Sequence, residues 1–299
     1  MEELRQILTS LGVETKTEYP LSWHSSFHIG GNATLACFPK CREEMVAVLE
    51  TVSRLGTRSI VVGNASNIVF DDGGFDGLAI FTGSWKDIAV RDTHLDVSAG
   101  ASLYRVAVAA RDASLTGAEF LYGIPGTLGG AIFMNAGAFG CSMADICWRS
   151  EYFDAQSGKT GWFEGNAQAF ANRTSIYERE ARYTVLGVEL CLSRGNQLEI
   201  SEKMETLMER RKNTQPLEYP SAGSVFKRPI GYFAGKLIED CGLKGVRVGG
   251  AEVSQKHAGF IVNRGGATAK DVRTLVELIR ERVLRETGVT LECEIRFIT

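Results

Sequence analysis

Between Gly123 and Gly140 the chain reads GIPGTLGGAIFMNAGAFG, and few conformations suit such a run. It lies in the longest uncharged stretch, Phe120 to Ala144, where Pro125 and glycines at 123, 126, 129, 130, 137 and 140 weaken any long helix. A membrane span is therefore not expected. Glycines this close together let main-chain N–H groups approach a phosphate, and the small residues between them let a flat ring or a pyrophosphate lie against the backbone. A tightly turned core loop would show the same glycines.

Two further glycine turns occur, in VVGNASNIVF after an apolar strand and at Gly30-Gly31-Asn32-Ala33. Gly30 and Gly31 alone would equally suit a strand bulge. No GxGxxG follows a strand, and GYFAGK at Gly231 is one residue short of a P-loop and runs into Leu237, so the usual nicotinamide and nucleotide-triphosphate turns are excluded. Three glycine turns at strand ends point instead to a long ligand with a pyrophosphate threaded between two lobes, as FAD would require.

The chain has 299 residues, 44% hydrophobic and 23% charged, which suits a folded protein of more than one domain. A formal charge of −3 supplies no basic field for a nucleic-acid partner. The N-terminus MEELRQILTS has acids at 2 and 3 and no basic-then-apolar pattern, so it does not read as a secretory signal, and a cytoplasmic location is expected. The seven scattered cysteines, without a CxxC pair, suit reduced thiols and no metal site.

Helical spacing of Leu4, Ile7, Leu8 and Leu11, and of Met45, Val48, Leu49, Val52 and Leu55, predicts two amphipathic helices. The second leads into a strand at Ser59 to Val62, the GNASN turn and a strand at Ile68 to Phe70. Short strands with a helix from Ser102 to Asp112 and a short one near Met143 follow. Gln197 to Lys212 predicts a helix between domains, and helices at Phe233 to Cys241 and Thr268 to Thr287 come after it, the last with an N-cap at Thr268 and a stop at Gly288. LECEIRF, Leu291 to Phe297, alternates strictly. Leu291, Cys293, Ile295 and Phe297 should therefore face a core, with Glu292, Glu294 and Arg296 opposite.

The Gly123–Gly140 run, SAGSVFKRP at Ser221 to Pro229, GGAEVSQKHAGFIVN at Gly249 to Asn263, and LECEIRF, in this order, resemble the UDP-N-acetylenolpyruvoylglucosamine reductase (MurB) family. The similarity runs from about Tyr19 to the C-terminus. It implies an α+β flavoprotein fold of the vanillyl-alcohol-oxidase or p-cresol-methylhydroxylase type, with a third, substrate-binding α+β domain. Expected boundaries are 1–82 and 83–196 for the two FAD-binding subdomains and 197–299 for the substrate domain, whose last strand packs back on the first. FAD is the implied cofactor and NADPH the hydride-donating co-substrate. The implied reaction reduces UDP-N-acetylglucosamine enolpyruvate to UDP-N-acetylmuramate, by a protein that is a monomer or weak oligomer.

By the same resemblance Arg173 in NRTSIY, Ser224 in GSVFK and Glu294 in EIRF are the catalytic residues, and Lys212 in RRKNTQP helps to bind the substrate diphosphate. The cofactor would be held by Gly30 and Gly31, by Gly63, Asn64, Ala65, Ser66 and Asn67, and by Gly123, Ile124, Pro125, Gly126, Thr127, Gly129, Gly130, Ala131, Asn135 and Gly137. Lys227 and Arg228 are further candidates for the diphosphate, or a solvated basic face. The roles cohere chemically. A cation steadies charge growing on a carboxylate, a hydroxyl delivers a proton, and a carboxylate orients or replenishes it. Taken singly, Ser224 would be a turn serine, Glu294 a solvated strand carboxylate and Arg173 a surface charge. His257 reads as a structural group rather than a metal ligand.

Three positions depart from the family pattern. Ala65 stands where a glycine usually precedes Ser-Asn, Asn172 replaces an aromatic before Arg173, and Ser25-Ser26 replace threonines. Two rival readings remain at this stage: an FAD oxidase or dehydrogenase acting on an alcohol or hydroxy acid, and a nucleotide-binding protein that has lost turnover.

Overall fold

A computed structural model describes residues 1–299. The chain packs as two compact units: residues 1–18, 34–64 and 76–210 form the first, and 19–33, 65–75 and 211–299 the second.

In the first unit a four-stranded sheet has the order Glu14–Pro20, Asn32–Phe38, Phe75–Phe81, Ser59–Val62, the last two parallel. Helices Glu2–Ser10 and Arg42–Leu55 supply buried Leu4, Leu8, Met45, Val48, Leu49 and Val52 to its core, the positions that the helical spacing predicts. Leu11 and Leu55 are the exceptions, exposed at the two helix ends, and Ile7 is only partly buried. Gly56, in the left-handed region at φ +60, stops the second helix.

A five-stranded antiparallel sheet completes this unit, in the order Lys159–Glu164, Cys147–Asp154, Tyr183–Cys191, His94–Ser98, Ile88–Arg91. Helices Leu103–Asp112 and Leu128–Phe133 share its core through Leu103, Val106, Leu128 and Ile132. The second of these is only six residues long, as the glycine density requires.

In the second unit the strands Ser221–Ser224, Phe260–Asn263, Ala251–Val253 and Arg247–Val248 form an antiparallel sheet in that order. Helices Ala234–Asp240 and Ala269–Thr287 pack with it, burying Leu237, Ile238, Val272, Leu275 and Val276. Thr268 and Asp271 close a capping box on the long helix, and Gly288 ends it at φ +72. The Arg296–Ile298 strand runs parallel to Ile68–Phe70, so the last strand does return to the region after the GNASN turn.

No helix is long and apolar enough to cross a membrane. All seven cysteines are free, and no group of three or more His, Cys, Asp or Glu residues is placed to hold a metal ion. Burial pushes the Cys37 and Cys147 thiols up to about 12 and Cys293 to about 11. Few thiolates form at neutral pH, and these side chains serve as packing.

Candidate active site

Gly63 and Asn64, the start of the GNASN turn, meet the Gly123–Gly140 run in the first unit. A Cβ on Gly63 would collide with the Thr127 hydroxyl, and Asn64 Nδ2 donates to the Pro125 carbonyl at 3.4 Å. Glycine at 63 is thus demanded by close approach. The run is fastened to residues 99–103, because Leu128 N–H donates to Ala101 at 2.8 Å and Gly129 N–H to Ala99 at 2.8 Å. Leu103 N–H in turn donates to Gly126 at 3.0 Å. Gly129 lies against Ala99, whose Cβ would be 2.9 Å from a Cβ at 129.

One polar atom in this junction has no partner. Thr127 Oγ1 is buried and makes no hydrogen bond. Leaving a buried hydroxyl unsatisfied costs about 1–3 kcal/mol, which a ligand's polar group placed there would offset. An orphaned hydroxyl beside a glycine that cannot carry a side chain fits a phosphorylated cofactor lying along the main chain, as FAD would. Gly63, Asn64, Gly123, Ile124, Pro125, Gly126 and Thr127 are the residues of this junction, with Gly130 exposed beside it and Ala131 buried beneath.

Gly30 and Gly31 serve the packing of the second unit. A Cβ at 30 would be 2.5 Å from Phe70 Cβ and one at 31 would be 2.5 Å from the Asp72 carbonyl oxygen. Gly31 N–H donates to Asp71 O at 2.9 Å.

Arg173 sits at the corner of a tight turn in which Ala171 and Thr174 face each other. Its φ is +57, a conformation that side chains other than glycine and asparagine rarely adopt. Three side chains hold the turn. Asn135 Nδ2 donates to Ala171 O at 3.0 Å while its Oδ1 accepts from Ala144 N–H at 2.9 Å. Ser175 Oγ donates to Phe133 O at 2.7 Å, and Arg173 Nη2 to Gly137 O at 3.1 Å. The turn bearing the arginine is therefore stapled to the end of the glycine run, and the exposed Asn172 takes no part in these bonds. Backbone strain retained by surrounding bonds is typical of functional turns. Nothing in the spacing of Asn135 announces its two bridges. Ser175 left a fainter signal, as a serine three residues before Glu178 at the start of a short helix.

Ser224 and Glu294 come together in the second unit. Gly223, at φ +79, lies where the pairing of Ser221–Ser224 with Phe260–Asn263 shifts register, so the strand kinks just before Ser224. Glu294 N–H then donates to Val225 O at 2.7 Å, and Lys227 N–H to Glu292 O at 2.9 Å. The serine and glutamate segments thus run side by side. The Ser26 hydroxyl, which stands where the family has threonine, donates to Ser221 O at 2.7 Å while Ser26 N–H reaches Ala65 O at 3.4 Å. Ala65 itself is buried at φ +46, the left-handed region in which glycine is at ease.

The basic candidates separate. Lys227 is paired with Glu292 at 2.5 Å, and the Arg228 guanidinium lies 3.9 Å from the Phe233 ring centroid. Lys212 is exposed near the end of the Gln197–Thr214 helix, where its carbonyl accepts from Lys256 Nζ at 2.6 Å. His257 Nδ1 accepts from Gly259 N–H at 3.1 Å, a structural use.

The two sheets and the glycine junction form the mixed α/β fold of an FAD-binding domain. Residues 33–163 match an FAD-binding domain family, and a berberine bridge enzyme variant shares the fold with a TM-score of 0.50 at 15% identity, over 65% of this chain and 44% of that one. Residues 215–298 match the C-terminal domain of UDP-N-acetylenolpyruvoylglucosamine reductase. A reductase of that name from Caldanaerobacter subterraneus is 44% identical over 93% of this chain and 92% of its own length, and one from Streptococcus pneumoniae is 40% identical over 99% and 97%. The crystal structure of the Thermus caldophilus enzyme superposes with a TM-score of 0.79 at 34% identity, covering 96% of this chain and 99% of that one. The chain belongs to the UDP-N-acetylenolpyruvoylglucosamine reductase (MurB) family of FAD-dependent oxidoreductases.

Proposed function

We propose that the chain reduces UDP-N-acetylglucosamine enolpyruvate to UDP-N-acetylmuramate with NADPH as electron source, in the cytoplasm, during peptidoglycan precursor synthesis. FAD, when bound, supplies the hydride chemistry. The protein's own groups polarise and protonate. The Arg173 guanidinium steadies negative charge developing on the enolpyruvyl carboxylate. The Ser224 hydroxyl donates the proton that the adjacent carbon requires, and Glu294 orients the carboxylate or replenishes that proton. Lys212 offers a cation to the diphosphate. NADPH and the sugar nucleotide are the expected partners, with no nucleic acid or membrane involved, and the enzyme acts as a monomer or weak oligomer.

The observation that carries this reading is the bond from Glu294 N–H to Val225 O at 2.7 Å, which keeps the candidate acid and the candidate proton donor on adjoining segments. The test separates the two half-reactions. The flavin absorbance of the holoenzyme should bleach with NADPH and recover on addition of the enolpyruvyl sugar. Ser224→Ala should leave bleaching intact and slow recovery by about 10²-fold or more, the usual scale of general acid catalysis. Fast recovery in that variant would remove Ser224 from the role.

A further inference from the structure

Asn67 closes the GNASN turn, where the sequence offers it as a cofactor residue, and two of its polar groups are engaged by the C-terminal segment. Its Nδ2 donates to the Glu294 carbonyl at 3.1 Å, and its own carbonyl accepts from Arg296 N–H at 3.0 Å. The C-terminal segment changes partners at this point. Up to Glu294 N–H it bonds to the Val225–Lys227 edge, with Cys293 bridged to Phe226, and from Arg296 onward it pairs in parallel with Ile68–Phe70. Glu294 is the crossover residue. At this crossover the Glu294 carbonyl accepts from a side-chain amide.

We propose that Asn67 is a positioning residue for the catalytic pair: its amide fixes the main chain of Glu294, and so the aim of that carboxylate relative to the Ser224 segment. Glu294 is gripped from both sides, by Val225 through its N–H and by Asn67 through its C=O. Loss of the second grip weakens the hold on the Glu294 peptide and lets it turn about the first. Because Asn67 and Ala65 share one turn, and Ser26 joins that turn to Ser221, residues 65–67 brace both catalytic segments at once.

The role of Glu294 rests on the proposed function, so the test reads geometry separately from turnover. In the FAD-loaded protein, Asn67→Ser is too short to reach the Glu294 carbonyl and adds no charge. At saturating FAD, bleaching by NADPH should slow much less than recovery does. Recovery on addition of the enolpyruvyl sugar should slow by about 10- to 100-fold, the scale of a small misplacement of a catalytic group. Its pH profile should shift, and amide hydrogen exchange at residues 294–296 should quicken. Where Asn67→Ser does not hold its fold, Asn67→Gln, whose donor is displaced by one methylene, takes the same readouts. Loss of flavin affinity with both half-reactions slowed alike would make Asn67 a cofactor ligand and overturn the proposal, as would wild-type exchange at 294–296. If the wild-type flavin is not reoxidised by the sugar, the proposed function fails, and hydrogen exchange still judges the contact.

Discussion

At the scale of single residues, the left-handed positions divide into those the chain tolerates and one it would gain by changing. Asn135, at φ +46, is a residue type that enters this region readily, and both ends of its amide are bonded there. Ala65 has the same φ with no side-chain bond to offset it. An L-residue in this conformation costs about 1–2 kcal/mol, while glycine loses about 0.5–1 kcal/mol more entropy on ordering, so the balance favours glycine. Ala65→Gly should therefore stabilise the protein by about 0.5–1 kcal/mol in denaturant titrations. A decrease would mean that burial of the methyl outweighs the strain. This preference was legible as soon as the alanine was seen where the family places glycine. The left-handed φ of Arg173 was not, since its turn is held by bonds with Asn135 and Phe133, which are distant in the sequence.

At the scale of elements, helix spacing carried most of the information. The predicted helices at 102–112, 197–212, 233–241 and 268–287 appear as Leu103–Asp112, Gln197–Thr214, Ala234–Asp240 and Ala269–Thr287. Each has a period or a cap that local sequence alone enforces. The alternating LECEIRF was read as one strand, and Leu291 and Ile295 are indeed buried, but regular pairing is confined to Arg296–Ile298 because the segment exchanges partners at Glu294. Alternation reports which side faces a core and says nothing of which neighbour supplies the hydrogen bonds. The Gln197–Thr214 helix buries Ile200 and Met204 and adds contacts such as Lys203 Nζ to Glu119, 3.2 Å apart. That buried carboxylate also accepts from Thr116 Oγ1 at 2.5 Å and from Gly117 N–H at 3.0 Å. Glu119→Gln, which removes the charge and turns two acceptor positions into donors, should cost about 2–3 kcal/mol, the worth of hydrogen bonds to a charged group. Thermal unfolding of the variant would measure it, and an unchanged midpoint would show that the helix is held by Ile200 and Met204 alone.

At the scale of the whole molecule, the division into 1–82, 83–196 and 197–299 follows chain order, whereas residues 19–33 and 65–75 pack with 211–299. Such exchanges depend on long-range pairing, as of Ile68–Phe70 with Arg296–Ile298, which no local period encodes. One property does sum over both units. Burial holds the half-buried His257, beside Lys244 and Glu239, below its ordinary value of 6.5. Burial tends to raise Glu119, but its bonds to Thr116 and Gly117 and the charge of Lys203 leave it below 4.5. Asp271, in the cap of the long helix, is held below 3.8 chiefly by its bond from the Thr268 N–H. In all three cases the folded value is depressed, so the unfolded chain binds more protons as the medium acidifies, and stability is lost on the acid side. The His257 contribution is complete above pH 6.5 and declines as pH falls below it, while those of Glu119 and Asp271 persist until about 4.5 and 3.8 respectively. Melting temperature should thus be level near neutrality, slope down below 6.5 and fall more steeply below 4.5. His257→Asn, which keeps an acceptor for Gly259 N–H but cannot titrate, should flatten the first part of that decline and leave the second. A wild-type slope in that variant between pH 6.5 and 4.5 would place the early loss on another group.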